Sequence, residues 1–314
     1  MIKMLKPLIS VVMGVYNGGK YLRGTIESIL RQTFRDFEFI IINDGSTDST
    51  GSILQEYADK DPRIKVIQQE NQGLTKALIA GCQMAQGEYI ARQDCGDISK
   101  PERLAKQLEH INASENISIV SCSVSFFGPQ GETIALNTTK TDNVSVQKSL
   151  LSGKLNTIRG IAWHGTAFFP AALYMEAGGY RPEFYFAQDL DLWVRLAKRG
   201  RVSFCPEALY EARFREGDIS GIYRMEQNAL TKIILTLRDL EPADPKYKAL
   251  LNKAGSIRPG GNKKVSRFRN ADQMYFLGRC LKSQNNPGYR DYLQRCVKLN
   301  PLHVKAWISL ITLN

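Results

Sequence analysis

The chain has 314 residues, of which 43% are hydrophobic and 23% are charged, and its formal net charge at pH 7 is +11. This length suffices for one large α/β domain with a smaller appendage, and the composition excludes a disordered or fibrous protein. No apolar run approaches the roughly 18 residues of a membrane span, and no signal-peptide pattern marks the start. The six cysteines lack metal-ligand spacing, so we expect reduced thiols and a cytoplasmic protein.

The positive charge has three interpretations. Nucleic-acid binding is disfavoured, because the basic residues are dispersed, only residues 261–269 form a cluster, and no nucleic-acid-binding motif accompanies them. A peripheral contact with anionic lipid at the inner face of a membrane, or a phosphorylated acceptor, accounts for the charge at least as well. A generally basic, solvated surface is the simplest interpretation. We therefore expect no nucleic-acid partner.

Short apolar runs alternate with helical patterns through the first half of the chain. The runs predicted as strands are 8–15, 37–43, 64–68 and 87–92. The predicted helices lie near 20–33, 48–59, 73–86 and 101–112. Several strands are too continuously apolar for a sheet with one wet face. The alternation therefore predicts an α/β fold with a mostly parallel sheet that helices cover on both sides.

The second half of the chain is less regular. We predict strands at 117–127, 166–169 and 202–214 and a helix at 189–199. From about residue 222 the pattern is helical, and residues 287–313 resemble one hairpin of a helical (TPR-like) repeat. The predicted domains are therefore an α/β domain at 1–222 and a C-terminal helical region at 223–314. The loop 256–264 is a candidate second hinge.

Ligands of parallel sheets bind outside the carboxyl ends of the strands. The four strand exits are GVYNGG, NDGSTD, QQENQG and RQDCGD, and all are polar and turn-forming. The segment Gly14–Gly19 does not match the G-x-G-x-x-G pattern of dinucleotide sites, and no P-loop pattern occurs. In RQDCGD, Asp94 and Asp97 follow an apolar strand as a pair of carboxylates typical of a metal–phosphate site. Gly96 stands between them where a third acid would be expected.

Several blocks of the sequence resemble the family 2 glycosyltransferases, which are inverting enzymes of the GT-A fold with nucleotide-sugar donors. The first two blocks are ISVVMGVYNGGKYLRGTIESILRQTFRDFEFIIINDGSTDST and NQGLTKALIAGCQMAQGEYIARQDCGDISKPERLAKQ. HGTAFF, GGYRPEFYFAQDLDLWVRLAKRG and LYEARFREGDIS complete the set. The blocks occur in the expected order over about residues 7–220. The resemblance implies a GT-A fold and sugar transfer from a nucleotide donor, with a UDP-sugar expected.

The resemblance also implies donor contacts at the strand exits. Val15, Tyr16 and Asn17 would offer backbone groups and a ring to the base, and Asp44 would accept a hydrogen bond from a base N–H. The alternative for Asp44 is a turn that caps the next helix. Lys76 matches a position where members often carry a basic residue near the donor, although a lone helical lysine is commonly solvated.

Asp94 and Asp97 occupy the D-x-D region of the family, where Mg²⁺ or Mn²⁺ would bridge the diphosphate. Members commonly have Asp-Ala-Asp-Asp there, so Gly96 replaces the usual metal ligand, and the need for metal stays open. Further on, Arg213 and Arg215 stand without the histidine that members often carry. Guanidinium groups bind phosphate directly. Either Arg215 takes over from the metal, or it is a solvated loop residue beside a weaker metal site.

The resemblance assigns the catalytic base to Asp189, although Gln188 replaces the glutamate usual before it. Asp189 would take the proton of an acceptor hydroxyl while the oxygen attacks the anomeric carbon with inversion. The helix N-terminus would favour its ionised form, and a plain helix cap is the alternative. Asp191 points to another side of the helix. His164 matches a position near the donor, and a buried structural histidine is the alternative.

These expectations predict a glycosyltransferase of the hexosyl or N-acetylhexosaminyl type in cell-surface polysaccharide or glycolipid biosynthesis. Its acceptor would be a saccharide, lipid-linked or protein hydroxyl, and the long polar segment 128–160 is the expected acceptor region. Gly96 and Gln188 keep open a catalytically silent nucleotide-sugar-binding or scaffold protein. The C-terminal helices keep open a protein-interaction module.

Overall fold

The computed structural model describes residues 6–129, 131–137, 143–155, 157–158, 161, 163–214, 223–260 and 267–312. For residues 135–137 and 269 it describes the backbone alone. Contacts group the chain into two compact units. The first comprises 1–124, 137–211 and 226–258, and the second comprises 125–136, 212–225 and 259–314.

One sheet collects the strands of the described chain. They are β1 (Ile9–Val15), β2 (Phe37–Asp44), β3 (Ile64–Gln69), β4 (Tyr89–Arg92), β5 (Ile98–Ser99), β6 (Ile117–Phe127), β7 (Thr133–Asn137), β8 (Phe168–Pro170) and β9 (Arg201–Arg213). The order is β3-β2-β1-β4-β8-β6-β9-β5, with β7 paired to β6. Strands β1 to β4 are parallel, whereas β8 runs antiparallel between β4 and β6 and β5 runs antiparallel to β9. The predicted α/β fold is confirmed.

Helices connect these strands and form the end of the chain. They are α1 (Gly19–Leu30), α2 (Thr50–Lys60), α3 (Leu74–Met84), α4 (Arg103–Asn112), α5 (Asn143–Ser152), α6 (Ala171–Glu176), α7 (Gln188–Ala197), α8 (Arg224–Arg238), α9 (Pro245–Ser256), α10 (Arg267–Ser283), α11 (Tyr289–Leu299) and α12 (Val304–Ile311). A short 3-10 helix covers His164–Thr166. The sequence missed β5, β7, α5 and α6. Helix α5 lies within the segment predicted as a polar loop.

The parallel strands carry the core of the first unit. All eight side chains of β2 are buried, and so are six of the seven in β1, because helices cover both faces of the sheet. Ile40 and Ile42 of β2 pack against Ala77 of α3. This burial anchors the strands firmly, so that the loops at their carboxyl ends start from rigid positions.

Helices α8 and α9 belong to the first unit, whereas the sequence placed them in the C-terminal region. Lys198 Nζ donates to the Arg238 carbonyl at 2.5 Å, and Arg181 Nη2 donates to the Tyr247 hydroxyl at 2.6 Å. These contacts join α8 and α9 to the segments around α7. In the described part of the chain, no helix combines the length and the apolar character needed to cross a membrane.

The second unit is largely helical. Leu277 of α10, Tyr292 and Leu293 of α11 and Ala306 of α12 are buried in one apolar cluster, together with Ile134 of β7. The Gln284 side chain donates to the Ile134 carbonyl, and the Tyr292 hydroxyl donates to Glu132. The three helices thus share one small core with the hairpin strand β7.

Candidate functional site

The exits of β1 and β2 form one polar rim. Tyr16, directly after β1, is 54% exposed, and Asn17 has a φ of 50°, a left-handed conformation that asparagine tolerates. Asn17 Oδ1 accepts from the backbone N–H of Thr47 at 2.8 Å, and the Asn17 N–H donates to Ser46 Oγ at 2.9 Å. Val15 itself is buried at the end of β1. The rim therefore presents the Tyr16 ring to solvent from a loop that hydrogen bonds hold in place.

Asp44 ends β2, and its buried carboxylate is bonded within the protein. Oδ1 accepts from Gln69 Nε2 at 2.6 Å and from the backbone N–H of Gln72 at 2.9 Å, and Oδ2 accepts from the backbone N–H of Gly73 at 2.9 Å. Asp44 thus ties the segment before α3 to the end of β2. A carboxylate offers about four lone-pair directions, so these bonds leave it about one for a ligand.

The helix-capping role that the sequence offered to Asp44 falls to Asp48. Asp48 Oδ1 accepts from the backbone N–H of Thr50 at 2.9 Å, at the start of α2. Its Oδ2 accepts from the N–H of Gly19 at the start of α1 at 3.0 Å. The hydrogen bond from the Thr50 hydroxyl lowers the pKa of the Asp48 carboxyl. One carboxylate therefore joins two helix N-termini at this rim.

Lys76 reaches the same corner from α3. Its exposed side chain places Nζ 3.1 Å from Gln72 Oε1, and the backbone N–H of Gln72 is bonded to Asp44. The structure thus links Lys76 to Asp44 through one intervening residue. A cation at this position can attract a negatively charged ligand to the rim.

Arg92, at the end of β4, orients Asp94. Arg92 is fully buried, its Nη2 lies 2.7 Å from Asp94 Oδ1, and its Nη1 donates to the carbonyls of Val12 and Gln93 at 2.5 Å and 2.9 Å. The Asp94 side chain remains 27% exposed. The ion pair therefore holds Asp94 at the surface of the site in one orientation.

Tyr210 and Gly165 close the other side of Asp94. The backbone N–H of Asp94 donates to the Tyr210 hydroxyl at 3.1 Å. A Cβ on Gly165 would lie 2.0 Å from the Tyr210 hydroxyl and 3.1 Å from Asp94 Oδ2. Only glycine fits at 165, so the backbone of the 3-10 helix lies directly against the Asp94 carboxylate.

Asp97 is directed into the protein. It is 4% exposed, and its Oδ2 accepts from Trp163 Nε1 and from the Tyr210 hydroxyl, both at 3.1 Å. Gly96 has a φ of 95°, a conformation natural to glycine, and its N–H donates to Thr25 Oγ1 at 2.8 Å. The loop turns at Gly96 in a way that an acidic residue would oppose, and the turn sends Asp97 inward.

The residues of this loop do not fit the predicted two-carboxylate metal site. Within the described ranges, no group of three or more His, Cys, Asp or Glu side chains is arranged to hold a metal ion. Asp97 is buried with Oδ2 engaged by two donors, and Asp94 is paired with Arg92. Mg²⁺ and Mn²⁺ require several accessible oxygen ligands. We predicted both aspartates as metal ligands because the sequence does not show which of them faces inward.

His164 lies beside Arg92 and is neutral. Its Nε2 is 3.3 Å from Arg92 Nε and 2.8 Å from the Tyr180 hydroxyl. Because arginine only donates, Nε2 accepts and the ring proton is at Nδ1. Burial, with a smaller contribution from the Arg92 charge, lowers the pKa of His164 to about 4, and the charges of Asp94 and Asp189 act in the opposite direction. The centroid of the His164 ring also lies 5.8 Å from that of Trp193 on α7.

The first turn of α7 separates two aspartates. Ala187 precedes the helix with a φ of 55°, a left-handed conformation unusual for alanine, and such strain is common at functional sites. Asp189 is partly exposed, and its Oδ1 accepts from the backbone N–H of Leu190 at 2.8 Å. Asp191 is buried, with Oδ2 2.6 Å from Arg195 Nη2 and Oδ1 3.4 Å from Arg181 Nη1. The partly exposed Asp189 can reach a ligand, whereas Asp191 is bonded within the protein.

The phosphate-binding role of Arg213 and Arg215 stays a prediction. Arg213 ends β9 and belongs to the second unit, and Arg215 lies outside the described residues. Through Arg92, the structure links Asp94 to His164, and His164 packs beside Trp193 of α7, the helix whose first turn carries Asp189. The sequence analysis passed over Arg92. A charged residue at the end of an otherwise apolar strand was the available signal.

Comparisons with known proteins show the family of the chain. The family model described as glycosyl transferase family 2 matches residues 10–176. The chain is 31% identical to an uncharacterized glycosyltransferase of Haemophilus influenzae over 238 aligned residues. The alignment covers 73% of this chain and 72% of the relative.

Solved structures show the same fold. TarS 1–349 of S. aureus, solved with UDP, superposes with a TM-score of 0.57 at 23% identity over 98% of this chain and 88% of that chain. The mannosyltransferase PcManGT of Pyrobaculum calidifontis, solved with GDP-Man and Mn²⁺, gives a TM-score of 0.58 at 18% identity over the same shares of the two chains. The predicted GT-A fold is thereby confirmed.

Proposed function

Because the chain belongs to glycosyl transferase family 2, we propose that it transfers a sugar from a nucleotide-sugar donor to a hydroxyl acceptor, with inversion at the anomeric carbon. One observation carries the proposal. The His164 ring lies between the exit of β4 and α7. Its Nε2 is 3.3 Å from Arg92 Nε, and the Arg92 guanidinium binds Asp94. The centroid of the His164 ring is 5.8 Å from that of Trp193 on α7. The exit of β4 and the first turn of α7 therefore belong to one site, which is where a donor and an attacking hydroxyl would meet.

The rim formed by the exits of β1 and β2 would bind the nucleoside. The Tyr16 ring is exposed for stacking, Val15 and Asn17 supply backbone groups, and Asp44 has acceptor capacity left for a base N–H. Lys76 would contribute positive charge at the same corner. UDP-sugars are the first candidates, because S. aureus TarS was solved with UDP. GDP-sugars are the second, because PcManGT was solved with GDP-Man.

Asp94 would orient the donor at its ribose or diphosphate end. Arg92 holds Oδ1 of this carboxylate at 2.7 Å, and the close approach of Gly165 fixes the side of Oδ2. The guanidinium neutralises most of the charge of Asp94, so that the carboxylate repels a diphosphate less than an isolated one would. Since Asp97 is turned inward, we expect donor binding to depend on a divalent cation less than a two-carboxylate site would.

Asp189 would act as the general base. Its carboxylate takes the proton from the acceptor hydroxyl, the oxygen forms a bond to the anomeric carbon, and the bond from that carbon to the diphosphate oxygen breaks. The nucleoside diphosphate leaves with the electron pair. Attack opposite the leaving group in one displacement inverts the anomeric configuration.

The proposal is tested with purified protein, a panel of UDP- and GDP-sugars, and saccharide and lipid-linked hydroxyl acceptors. Release of nucleoside diphosphate should depend on one donor class, and proton NMR of the product should show the anomeric configuration opposite to that of the donor. A retained configuration would exclude the single displacement. Tight donor binding without turnover on any acceptor would favour the catalytically silent alternative that Gly96 and Gln188 suggested.

The cell-surface role is a further part of the proposal. Synthesis of a surface polysaccharide or glycolipid, by transfer of a hexose or an N-acetylhexosamine, rests on the family resemblance. Lipid-linked acceptors and UDP-hexose and UDP-N-acetylhexosamine donors are therefore compared in the same panel. Turnover confined to protein acceptors would contradict this role while leaving sugar transfer intact.

A further inference from the structure

Helix α12 carries apolar side chains on two sides. On its inner side Ala306 is buried in the apolar cluster of the second unit, and Leu310 packs against that cluster. The outer face carries Val304, Trp307, Ile308 and Ile311, which are between 46% and 77% exposed. We call these four residues the outer stripe of α12. Their i, i+3, i+4, i+7 spacing places them along one side of the helix.

A helix with apolar side chains on two sides is normally covered on both of them. Scattered exposed apolar residues need no explanation, but four large ones in a continuous stripe mark an interaction surface. Leu302, just before the helix, is 86% exposed and extends the apolar character of this region. The outer stripe is therefore expected to meet an apolar partner.

The net positive charge of the sequence is concentrated in the segment that ends with this helix. Residues 259–314 carry ten lysines and arginines against Asp272 and Asp291, a net +8 out of the +11 of the whole chain. Lys282 Nζ donates to the Ser309 and Thr312 carbonyls at 2.8 Å and 2.6 Å, which places a cation against the last turn of α12. Lys305, on α12, and Lys298, on α11, are exposed.

The apolar outer stripe and the positive charge together favour one kind of partner. A second copy of the chain would bring two units of the same positive charge together, which opposes association. A nucleic acid would satisfy the charge but would not cover four apolar side chains. An anionic lipid bilayer satisfies both, because its headgroups attract lysine and arginine and its acyl boundary accepts the apolar stripe.

We propose that α12 docks the protein on anionic lipid membranes, with the outer stripe at the acyl boundary and the surrounding cations at the headgroups. Trp307 is suited to this position, because its Nε1–H already donates to the Pro301 carbonyl at 2.8 Å. The indole can therefore leave water without an unsatisfied donor. Lys305 flanks the stripe and keeps its ammonium group within reach of lipid phosphates. The docking surface is independent of the proposed sugar transfer.

The test is flotation of the full chain with vesicles of phosphatidylcholine alone or mixed with phosphatidylglycerol. Binding should require phosphatidylglycerol and weaken with added salt. Trp307→Ser combined with Ile311→Ser should reduce the partition coefficient by about tenfold or more, because two large apolar side chains no longer enter the bilayer. The matched control is Val144→Ser with Met175→Ser, two exposed apolar residues of the first unit, which should bind like the wild type.

A charge-matched pair separates local from overall charge. Lys298→Glu with Lys305→Glu should lose most binding, whereas Lys248→Glu with Lys253→Glu, on exposed positions of α9, changes the net charge equally and should retain most of it. Trp307→Phe should still bind but lose the blue shift of tryptophan emission that vesicles cause in the wild type. Circular dichroism checks that each variant is folded.

Three results would overturn the proposal. The outer-stripe variant could bind vesicles as well as the wild type. Both charge-reversal pairs could weaken binding equally. Finally, the lipid-free wild type could be a dimer that Trp307→Ser with Ile311→Ser converts to a monomer in analytical ultracentrifugation, in which case the stripe serves a second copy.

Discussion

The loop after β4 and the first turn of α7 each carry two aspartates, and each region buries one and leaves the other accessible. Asp94 is partly exposed and Asp97 accepts hydrogen bonds from Trp163 and Tyr210. Asp189 is partly exposed and Asp191 is bonded to Arg195. In each region, two aspartates no more than three positions apart therefore have different roles. One is accessible to a ligand, and the other stabilises the fold.

The two regions reach this division by different means. In α7, residues two apart point to different sides of the helix, so only one aspartate can face the core. In the loop, the left-handed conformation of Gly96 reverses the chain and directs Asp97 inward. Helical geometry fixes the first division, whereas a single glycine fixes the second. The loop should therefore be easier to change than the helix.

The largest effect is expected at Asp189, the accessible aspartate of α7. Asp189→Asn should lower turnover by about a thousandfold, because removal of a general base commonly costs two to four orders of magnitude. The unfolding free energy and donor affinity should stay near those of the wild type, since the bond that the Asp189 side chain makes in the described part of the chain is a local one, to the N–H of Leu190. Steady-state kinetics and urea unfolding measure both. Unchanged turnover would remove Asp189 from the mechanism.

Asp191→Asn tests the structural side of the same helix. We expect a loss of about 3 kcal/mol of unfolding free energy, because Arg195 would keep a buried charge without its carboxylate partner. Residual activity per folded molecule should be nearly normal at low temperature. Urea unfolding followed by circular dichroism gives the stability change. A variant as stable as the wild type but inactive would reverse the roles assigned to the two aspartates.

Acidification tests the environment of His164, because the charges of Asp94 and Asp189 act on its pKa. Its pKa is about 4 in the folded chain against an ordinary 6.5, so the unfolded chain binds the proton first as pH falls. This contribution is intact above about pH 6.5 and is lost progressively down to about pH 4, by roughly 2 to 3 kcal/mol. Urea unfolding across this range should show a slope that His164→Asn reduces. An imidazole NMR titration with a midpoint near 6.5 would contradict the burial argument.

The smallest effect compares Asp94 with Asp97 in donor binding. Asp94→Asn should weaken donor affinity by about tenfold and also lower stability, because Arg92 loses its carboxylate partner. Asp97→Asn should leave donor affinity unchanged and cost about 1 kcal/mol of stability. Addition of a chelator should change wild-type donor affinity by less than about tenfold, because Asp97 is turned away. Calorimetric titration with and without Mn²⁺ measures each case. An Mn²⁺-dependent affinity that Asp97→Asn abolishes would restore Asp97 as a ligand.

The sequence predicted the parallel strands of the sheet well. The β-α alternation and the polar strand exits depend on local patterns, and those patterns survive folding. It could not show that Gln69, Gln72 and Gly73 occupy the carboxylate of Asp44, because these partners lie 25 to 29 positions away. The inward turn of Asp97 was hidden for the same reason, since Trp163 and Tyr210 come from distant segments. The role of a carboxylate depends on which groups donate hydrogen bonds to it, and the sequence does not show those groups.

The buried charge of Arg92 has a consequence for how this site can evolve. Arg92 is fully enclosed, and Asp94 is the carboxylate bonded to it. A neutral residue at either position would leave the other charge without its partner. A variant with only one of the two residues replaced should therefore be less stable than the wild type. In a library randomised at both positions and selected for a folded, active protein, the two residues should be retained together or replaced together.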